Sequence, residues 1–276
     1  MKKIILMLAW LLALSGLPGV SAAAGESYVF GVTPQFERRQ LFIIWNPILK
    51  ELEKRTGHSF ELALLPDIPS FERGYNAGQF DFAYMNPYLV VANANPQGYL
   101  PLVRDGKPVQ GILVVAGDSP IRTPADLDGK AVAFPAPNAI GASLLVRAEL
   151  ARSFKVRITP SYVKSHTAVY LNVAQGLADA GGGVQKTLDE QKDAVRGLLR
   201  VIHTTRPFPS HPVAAHPRVP AAVREAVQKA LLDLAASPEG KVLLQEIPLA
   251  RMIPTSARDY EPLRELGLED FFVPER

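Results

Sequence analysis

The chain has 276 residues, of which 47% are hydrophobic, so it is too long and too apolar for a disordered segment and can form one large domain or two lobes. A net charge of +3 with no run of Lys or Arg excludes the clustered basic surface that a nucleic-acid-binding protein needs. The absence of cysteine excludes disulfides, cysteine nucleophiles, thiolate metal sites and a lipid attached to cysteine.

Residues 1–24 have the pattern of a secretory signal peptide. Lys2 and Lys3 form a positive n-region, Ile4–Leu14 is apolar, and small residues offer a cleavage site near residues 22–24. The apolar run is shorter than the roughly 20 residues that cross a bilayer, which disfavours the alternative of a transmembrane anchor. We therefore expect a protein exported to a bacterial periplasm and free of a lipid anchor.

Strands and helices alternate in the first part of the chain. Period-2 or continuous apolar runs predict strands at Tyr28–Val32, Ser59–Leu65, Phe80–Tyr84 and Gly111–Ala116. Apolar stripes, glycine ends and proline starts predict helices at Leu41–Arg55, Ser70–Ala77 and Pro87–Ala94. Such alternation is typical of a mainly parallel sheet with helices on its faces.

The pattern restarts after residue 120. The predicted strands are Ala131–Phe134, Ser161–Val163, Ala178–Val184 and one near Ile202. The predicted helices are Thr123–Leu127, Asn138–Arg152, Ser165–Gln175, Ala221–Ala236, Pro238–Leu244 and Asp259–Leu266. Two α/β blocks followed by a helical tail predict two lobes, with the tail returning to cover the first.

The lobes can be assigned by residue number. We expect lobe 1 to contain residues 25–108 and 212–276, and lobe 2 to contain residues 109–211. The hinge crossings then lie near residues 105–112 and 206–212, and the second of them is rich in proline.

Three segments place polar groups where a strand ends and a helix begins, which is where α/β sheets bind ligands. The first carries Tyr84, Asn86 and Tyr88, although a core tyrosine with its hydroxyl at the rim explains the same pattern. The second runs from Asn138, a good N-cap, to Ser143, although an ordinary capped helix is the alternative.

The third segment is Ser165-His166-Thr167, in which Ser165 can cap a helix. A neutral His166 in the first turn could donate a hydrogen bond to an oxyanion, although a solvent-facing histidine is the alternative. The triplet Gly181–Gly183 permits either a close backbone approach or a flexible turn.

The sequence disfavours an enzyme. No GxSxG, HExxH, GxGxxG or P-loop pattern occurs. His203, His211 and His216 lie in one region, but few acidic residues surround them, so we expect neither a metal nor a cofactor.

In order along the chain, these segments resemble the phosphonate/phosphite/phosphate-type periplasmic solute-binding proteins of ABC importers. The resemblance covers nearly all of the predicted mature chain and is carried by Phe30–Gln35, Gly78–Tyr88, Ile121–Lys130, Ser165–Val169 and Gly176–Gly181. It implies a two-lobed type II periplasmic binding protein (Venus-flytrap) fold with mixed, mainly parallel sheets, whose lobes close over a small oxyanion or phosphonate. The chain departs from characterised members at Asn138–Gly141, where they carry a Ser-Thr-Ser-Gly-like run, and at Ser210-His211, where they carry an acidic residue.

The resemblance and the strand ends together assign residues to the cleft. We expect one wall to contain Tyr84, Asn86 and Tyr88, joined by Gln35. We expect the opposite wall to contain Asn138, Ser143, Ser165, His166 and Thr167, with Gln185 at the floor and His211 at the hinge. The expected partner is a membrane permease, and the expected protein is a monomer. A periplasmic sensing module for a membrane kinase or cyclase is the alternative, and a hydrolase is a third hypothesis.

Overall fold

The computed structural model describes residues 26–91, 95–245, 247, 249 and 251–274. The predicted signal peptide lies outside the described residues. The described chain forms two β-sheets with helices packed on them, which is the two-lobed α/β architecture that the sequence predicts. No helix within these residues is long and apolar enough to cross a membrane.

The predicted elements occur in the predicted order. The structure adds elements that the sequence patterns do not predict, which are strands at Leu100–Asp105, Val213–Ala215 and Met252–Pro254 and helices at Gln185–Asp189 and Asp193–Arg196. The strands are β1 (Ser27–Val32), β2 (Ser59–Leu64), β3 (Phe82–Tyr84), β4 (Leu100–Asp105), β5 (Gly111–Ala116), β6 (Ala131–Phe134), β7 (Thr159–Tyr162), β8 (Ala180–Val184), β9 (Leu199–Thr204), β10 (Val213–Ala215) and β11 (Met252–Pro254). The α-helices are α1 (Arg38–Thr56), α2 (Ile68–Asn76), α3 (Leu145–Arg152), α4 (His166–Ala174), α5 (Gln185–Asp189), α6 (Asp193–Arg196), α7 (Ala221–Ala236) and α8 (Pro238–Leu244). The 3-10 helical segments are Pro87–Val90, Pro124–Leu127, Ala257–Leu266 and Leu268–Asp270, and a π-helical turn lies at Ile140–Leu144.

Both sheets are mixed. The first has the strand order β11-β4-β10-β3-β1-β2, with β1 parallel to β2 and β3. In the same sheet, β10 is antiparallel to β3 and β4, and β11 is antiparallel to β4. The second has the order β7-β6-β8-β5-β9, with β6 parallel to β7 and β8 and with β5 antiparallel to both neighbours. Parallel pairing therefore occurs where strand–helix alternation predicts it.

The chain passes between the sheets twice. Strands up to Asp105 and from Val213 onward belong to the first sheet, and strands from Gly111 to Thr204 belong to the second. An isolated bridge joins Val109 and Phe208, one from each crossing. The proposed hinges lie in these segments, and the lobe boundaries stay predictions.

Helix α1 shows why the first lobe folds as predicted. Its apolar stripe of Leu41, Ile44, Ile48 and Leu52 is buried against the first sheet, and Gly57 ends the helix with φ of 73°. The tail returns as expected, because α7 and α8 pack on α1 with the bounds that their sequence patterns predict.

Glycine lets the π-helical turn lie directly on the second sheet. The triplet Gly181–Gly183 lies inside β8, and the structure favours the close-approach interpretation over the flexible turn. A Cβ atom on Gly182 would lie 1.8 Å from the carbonyl oxygen of Ala142, and one on Gly111 would lie 1.9 Å from that of Gly141. Only hydrogen can occupy these positions while the backbones remain so close.

One predicted helix start is wrong. The helix expected from Asn138 begins with the π-helical turn at Ile140, with Ala139 at the N-cap position. Asn138 cannot cap the helix because its side chain is engaged by distant groups, described below. The helix expected at Pro87–Ala94 is a 3-10 segment that ends at Val90, and residues 92–94 lie outside the described residues.

Candidate ligand-binding site

A cavity lies between the two sheets, close to both crossings. Its volume is about 20 Å³, which is room for one water-sized group. Its lining residues are Thr33, Gln35, Ile68, Phe71, Glu72, Asn86, Leu89, Ala139, Ile140, Gly141, Ala142, His166, Val184 and His211. The carboxyl ends of β1, β3 and β8 therefore meet the first residues of α2, α4 and the π-helical turn, as expected for a ligand site in an α/β protein.

His166 enters the cavity at the start of α4. The Oγ of Ser165 accepts a hydrogen bond from the Ala168 N–H at 3.1 Å, so Ser165 caps the helix as predicted. The His166 ring is buried, which corrects the solvent-facing alternative. Its Nδ1 lies 3.1 Å from the Thr187 Oγ1, and Nε2 is the ring nitrogen left for the cavity.

His211 enters the same cavity from the second crossing. Its Nε2 lies 3.3 Å from the Gln35 Nε2, and its ring stacks on that of Tyr84 at 5.5 Å between centroids. Burial lowers the pKa of His211, and the neighbouring His166 lowers it further, which is consistent with two imidazoles at one cavity.

Asn138 and Asn86 connect the two sides of the cleft. Asn86 Nδ2 donates to the Asn138 carbonyl oxygen at 2.6 Å. Asn138 Nδ2 donates to Glu72 Oε2 at 2.8 Å and to the Val273 carbonyl oxygen at 2.6 Å, and Asn138 Oδ1 accepts from the Val273 N–H at 2.8 Å. Asn138 is fully buried. Its side chain therefore joins α2 and the C-terminal segment to the entrance of the π-helical turn.

The structure brings four of the predicted site residues into the cavity wall: Gln35, Asn86, His166 and His211. Tyr84 does not line the cavity, because it points with Phe82 into the core, where its ring contacts Trp45 at 5.0 Å. Tyr88 also lies outside the lining and packs against Phe272 at 5.4 Å.

The other predicted residues surround the cavity wall without lining it. They are Asn138, Ser143, Ser165, Thr167 and Gln185. Ser143 Oγ accepts from Arg147 Nε at 3.2 Å, and the exposed Gln185 donates to Asp189 at 2.8 Å. A direct ligand contact by any of these residues stays a prediction.

Sequence reasoning missed two polar residues of the wall. Thr33 follows β1 at its carboxyl end, and its Oγ1 donates to the Tyr84 carbonyl oxygen at 2.9 Å. A polar residue that follows a strand is the reason to expect Gln35 in the wall, and the same reason applies to Thr33. Glu72 lies within α2 and shares a buried face with Phe71 and Tyr75. No sequence pattern indicates that a charged residue in the middle of this helix faces a cavity.

The three histidines considered for a metal site have different partners. His203 Nε2 lies 2.7 Å from Glu149 Oε2, and His216 Nε2 lies 3.4 Å from Gln97 Oε1. Across the described ranges, no three His, Asp or Glu side chains are grouped so that they could hold a metal ion.

Acidification is expected to open the cleft. Burial lowers the pKa of His166 from 6.5 to about 4 and that of His211 from 6.5 to about 3. Between these values and 6.5, an open, hydrated cleft binds more protons than the closed one. The closed form is therefore fully stable only above about pH 6.5 and loses stability as the pH falls. Small-angle X-ray scattering of the unliganded protein should give a larger radius of gyration in acid.

The matched comparison is the double variant His166→Gln/His211→Gln, which has no imidazole in the cavity. Its radius of gyration should be the same at neutral pH and in mild acid. An unchanged or smaller radius for the wild type in acid would contradict this expectation.

Two lobes joined by two crossings, with a cavity of polar and apolar residues between them, define a type II periplasmic binding protein. A family model described as "ABC transporter, phosphonate, periplasmic substrate-binding protein" matches residues 30–260. The chain belongs to this family, whose members bind a substrate for a transporter and do not catalyse a reaction.

Named relatives agree with this assignment. "Phosphate-import protein PhnD" of Mycolicibacterium smegmatis (strain ATCC 700084 / mc(2)155) is 27% identical over 212 residues, which cover 68% of this chain and 66% of that protein. "Phosphonates-binding periplasmic protein" of Escherichia coli (strain K12) is 24% identical over 258 residues, which cover 87% of this chain and 75% of that protein. Neither supports the sensor alternative.

A solved structure shows the same fold. PhnD1 from Prochlorococcus marinus (MIT 9301) in complex with methylphosphonate superposes with a TM-score of 0.78 at 15% identity, and the match covers 87% of this chain and 97% of that one. The likeness at this low identity concerns the fold.

Proposed function

We propose that the chain captures a small tetrahedral oxyanion or phosphonate between its two lobes and delivers it to the permease of an ATP-driven importer. The observation that carries this proposal is the buried His166 at the N-terminus of α4, with Nε2 as the ring nitrogen left for the cleft. The names of the Mycolicibacterium smegmatis and Escherichia coli relatives support phosphate or phosphonate as the ligand class. The proposal includes export, cleavage near residues 22–24, and a monomeric state.

The cavity wall supports a ligand with one polar and one apolar end. Gln35, Asn86 and His166 offer neutral side-chain donors, and helix N-termini add a favourable field for an anion. Ile140 and Val184 supply an apolar surface for a short substituent. No Lys or Arg of the described chain lines the cavity, and the wall also contains the acidic Glu72. A bound anion is therefore held by neutral donors, which suits rapid release to a permease.

The ligand enters by movement of the lobes. A cavity of about 20 Å³ holds one water-sized group, and a tetrahedral oxyanion has five heavy atoms. The lobes must therefore part to admit the ligand and close less completely around it. The proposed crossings near residues 105–112 and 206–212 are the segments that would bend.

A thermal-shift screen tests this function. The panel contains phosphate, phosphite, methylphosphonate, 2-aminoethylphosphonate, sulfate and acetate. A ligand at about 100 times its dissociation constant adds about 2.7 kcal/mol of stability, which gives a clear rise in melting temperature. We expect a rise with at least one phosphorus oxyanion and its loss in His166→Leu.

The control for this screen is His58→Leu. His58 contacts Tyr28 edge-to-face at 5.4 Å and does not line the cavity, so its variant should keep the ligand-induced shift. The proposed ligand class would be wrong if no phosphorus oxyanion raised the melting temperature of the wild type.

A further inference from the structure

The buried hydroxyl groups of Thr187 and Tyr170 form a row next to the His166 ring. The Thr187 Oγ1 lies 3.1 Å from His166 Nδ1, 2.7 Å from the Tyr170 hydroxyl and 2.9 Å from the Val184 carbonyl oxygen. The Tyr170 hydroxyl also lies 3.2 Å from the same carbonyl oxygen. Both Thr187 and Tyr170 are buried, and neither lines the cavity.

The backbone of β8 makes room for this row. A Cβ atom on Gly183 would lie 2.1 Å from the Tyr170 hydroxyl, so any other residue there would displace it. Tyr170 lies one helical turn after His166 on the same face of α4, and Thr187 is the third residue of α5. The row therefore connects α4, β8 and α5 at one point.

The positions of the hydroxyl hydrogens in this row determine which ring nitrogen of His166 carries a hydrogen. The ionised oxygens of an oxyanion are acceptors, so His166 must carry its hydrogen on Nε2 to bind one of them. A neutral ring then has a lone pair on the buried Nδ1, which needs a donor. Thr187 can supply this donor, because the Tyr170 hydroxyl can donate to the Thr187 Oγ1 at 2.7 Å and leave the Thr187 hydrogen for Nδ1. Burial lowers the pKa of His166 to about 4, which keeps the ring neutral at neutral pH.

We propose that Thr187, supported by Tyr170, is a positioning residue that donates to His166 Nδ1 and thereby directs the Nε2 hydrogen at a bound oxyanion. This inference rests on the proposed function and adds to it the group that sets the tautomer and the ring orientation of His166. A chain of Tyr170, Thr187 and His166 donating in the same direction polarises each bond and strengthens the last one.

Calorimetric titration and NMR of the ring nitrogens test the proposal together. The probes are methylphosphonate and inorganic phosphate. Thr187→Val keeps the side-chain shape and removes the hydroxyl, and we expect the better probe to bind about tenfold more weakly. Thr187→Ser keeps the hydroxyl and should restore binding. In ¹⁵N spectra of the liganded wild type, we expect His166 Nε2 to be protonated and Nδ1 to be unprotonated.

Thr255→Val is the matched control, because Thr255 is also buried and bonds Asp259 at 3.0 Å but does not line the cavity or contact His166. It should bind the probe as the wild type does. Equal affinity of Thr187→Val and the wild type, or a liganded His166 with its proton on Nδ1, would overturn the positioning role. Failure of the wild type to bind either probe would be a different result, because it would remove the proposed oxyanion function on which this inference rests.

Discussion

Replacing Asn138 with leucine is expected to lower the free energy of unfolding by about 3 kcal/mol, because buried polar partners lose their hydrogen bonds and leucine has nearly the same shape as asparagine. The partners are the Glu72 carboxylate and both backbone groups of Val273. Hydrogen bonds to a carboxylate and bonds whose loss leaves a buried group unsatisfied have the largest individual effects. Urea denaturation monitored by tryptophan fluorescence gives the value.

Asn172→Leu is the matched control for this substitution. The Asn172 amide donates to the Ala168 carbonyl oxygen at 2.8 Å within α4, and the side chain is half-buried. Removing this hydrogen bond should lower the free energy of unfolding by less than about 1 kcal/mol, because water can replace the bond. Equal losses for the two variants would show that Asn138 does not have the connecting role described here.

Replacing Gly182 with alanine is expected to destabilise the protein by about 3 kcal/mol or more, because overpacking at a backbone contact cannot be relieved by a side-chain rotation. The new methyl group would lie 1.8 Å from the Ala142 carbonyl oxygen and 2.7 Å from the Phe134 ring. The π-helical turn would have to leave the sheet. Since Ala142 lines the cavity, ligand binding should weaken together with stability.

Gly117→Ala separates this effect from the general cost of replacing glycine. A Cβ atom on Gly117 would come no closer than 3.5 Å to the Leu198 carbonyl oxygen. Its melting temperature should be close to that of the wild type. A Gly182→Ala protein as stable as Gly117→Ala would contradict the close contact between β8 and the π-helical turn.

The parts of the molecule that could be predicted from sequence depend on local signals. Ser165 and His166 form a cap and a first helical turn, and neighbouring residues alone determine that geometry. The bounds of α7 and α8 likewise follow from an apolar stripe and a Ser-Pro start. The strand–helix order then predicts the two-lobed fold, since it restricts how the sheets can form.

The parts that could not be predicted depend on contacts between distant residues. Asn138 has the sequence pattern of an N-cap, but Val273, 135 residues later in the chain, engages its side chain. Tyr84 follows a strand in the expected way, but the period of that strand directs its ring into the core. The strands β10 and β11 have three residues each, which is too short for a periodic signal.

The central claim is that an oxyanion binds in the cleft with His166 Nε2 as one of its donors. A crystal structure of the mature protein, grown with the phosphorus oxyanion that gives the largest thermal shift, tests this claim most directly. We predict tetrahedral electron density between Asn86 and His166, with an oxygen atom within hydrogen-bonding distance of Nε2. A saturating ligand bound elsewhere, or bound in the cleft without a contact to His166, would contradict the account.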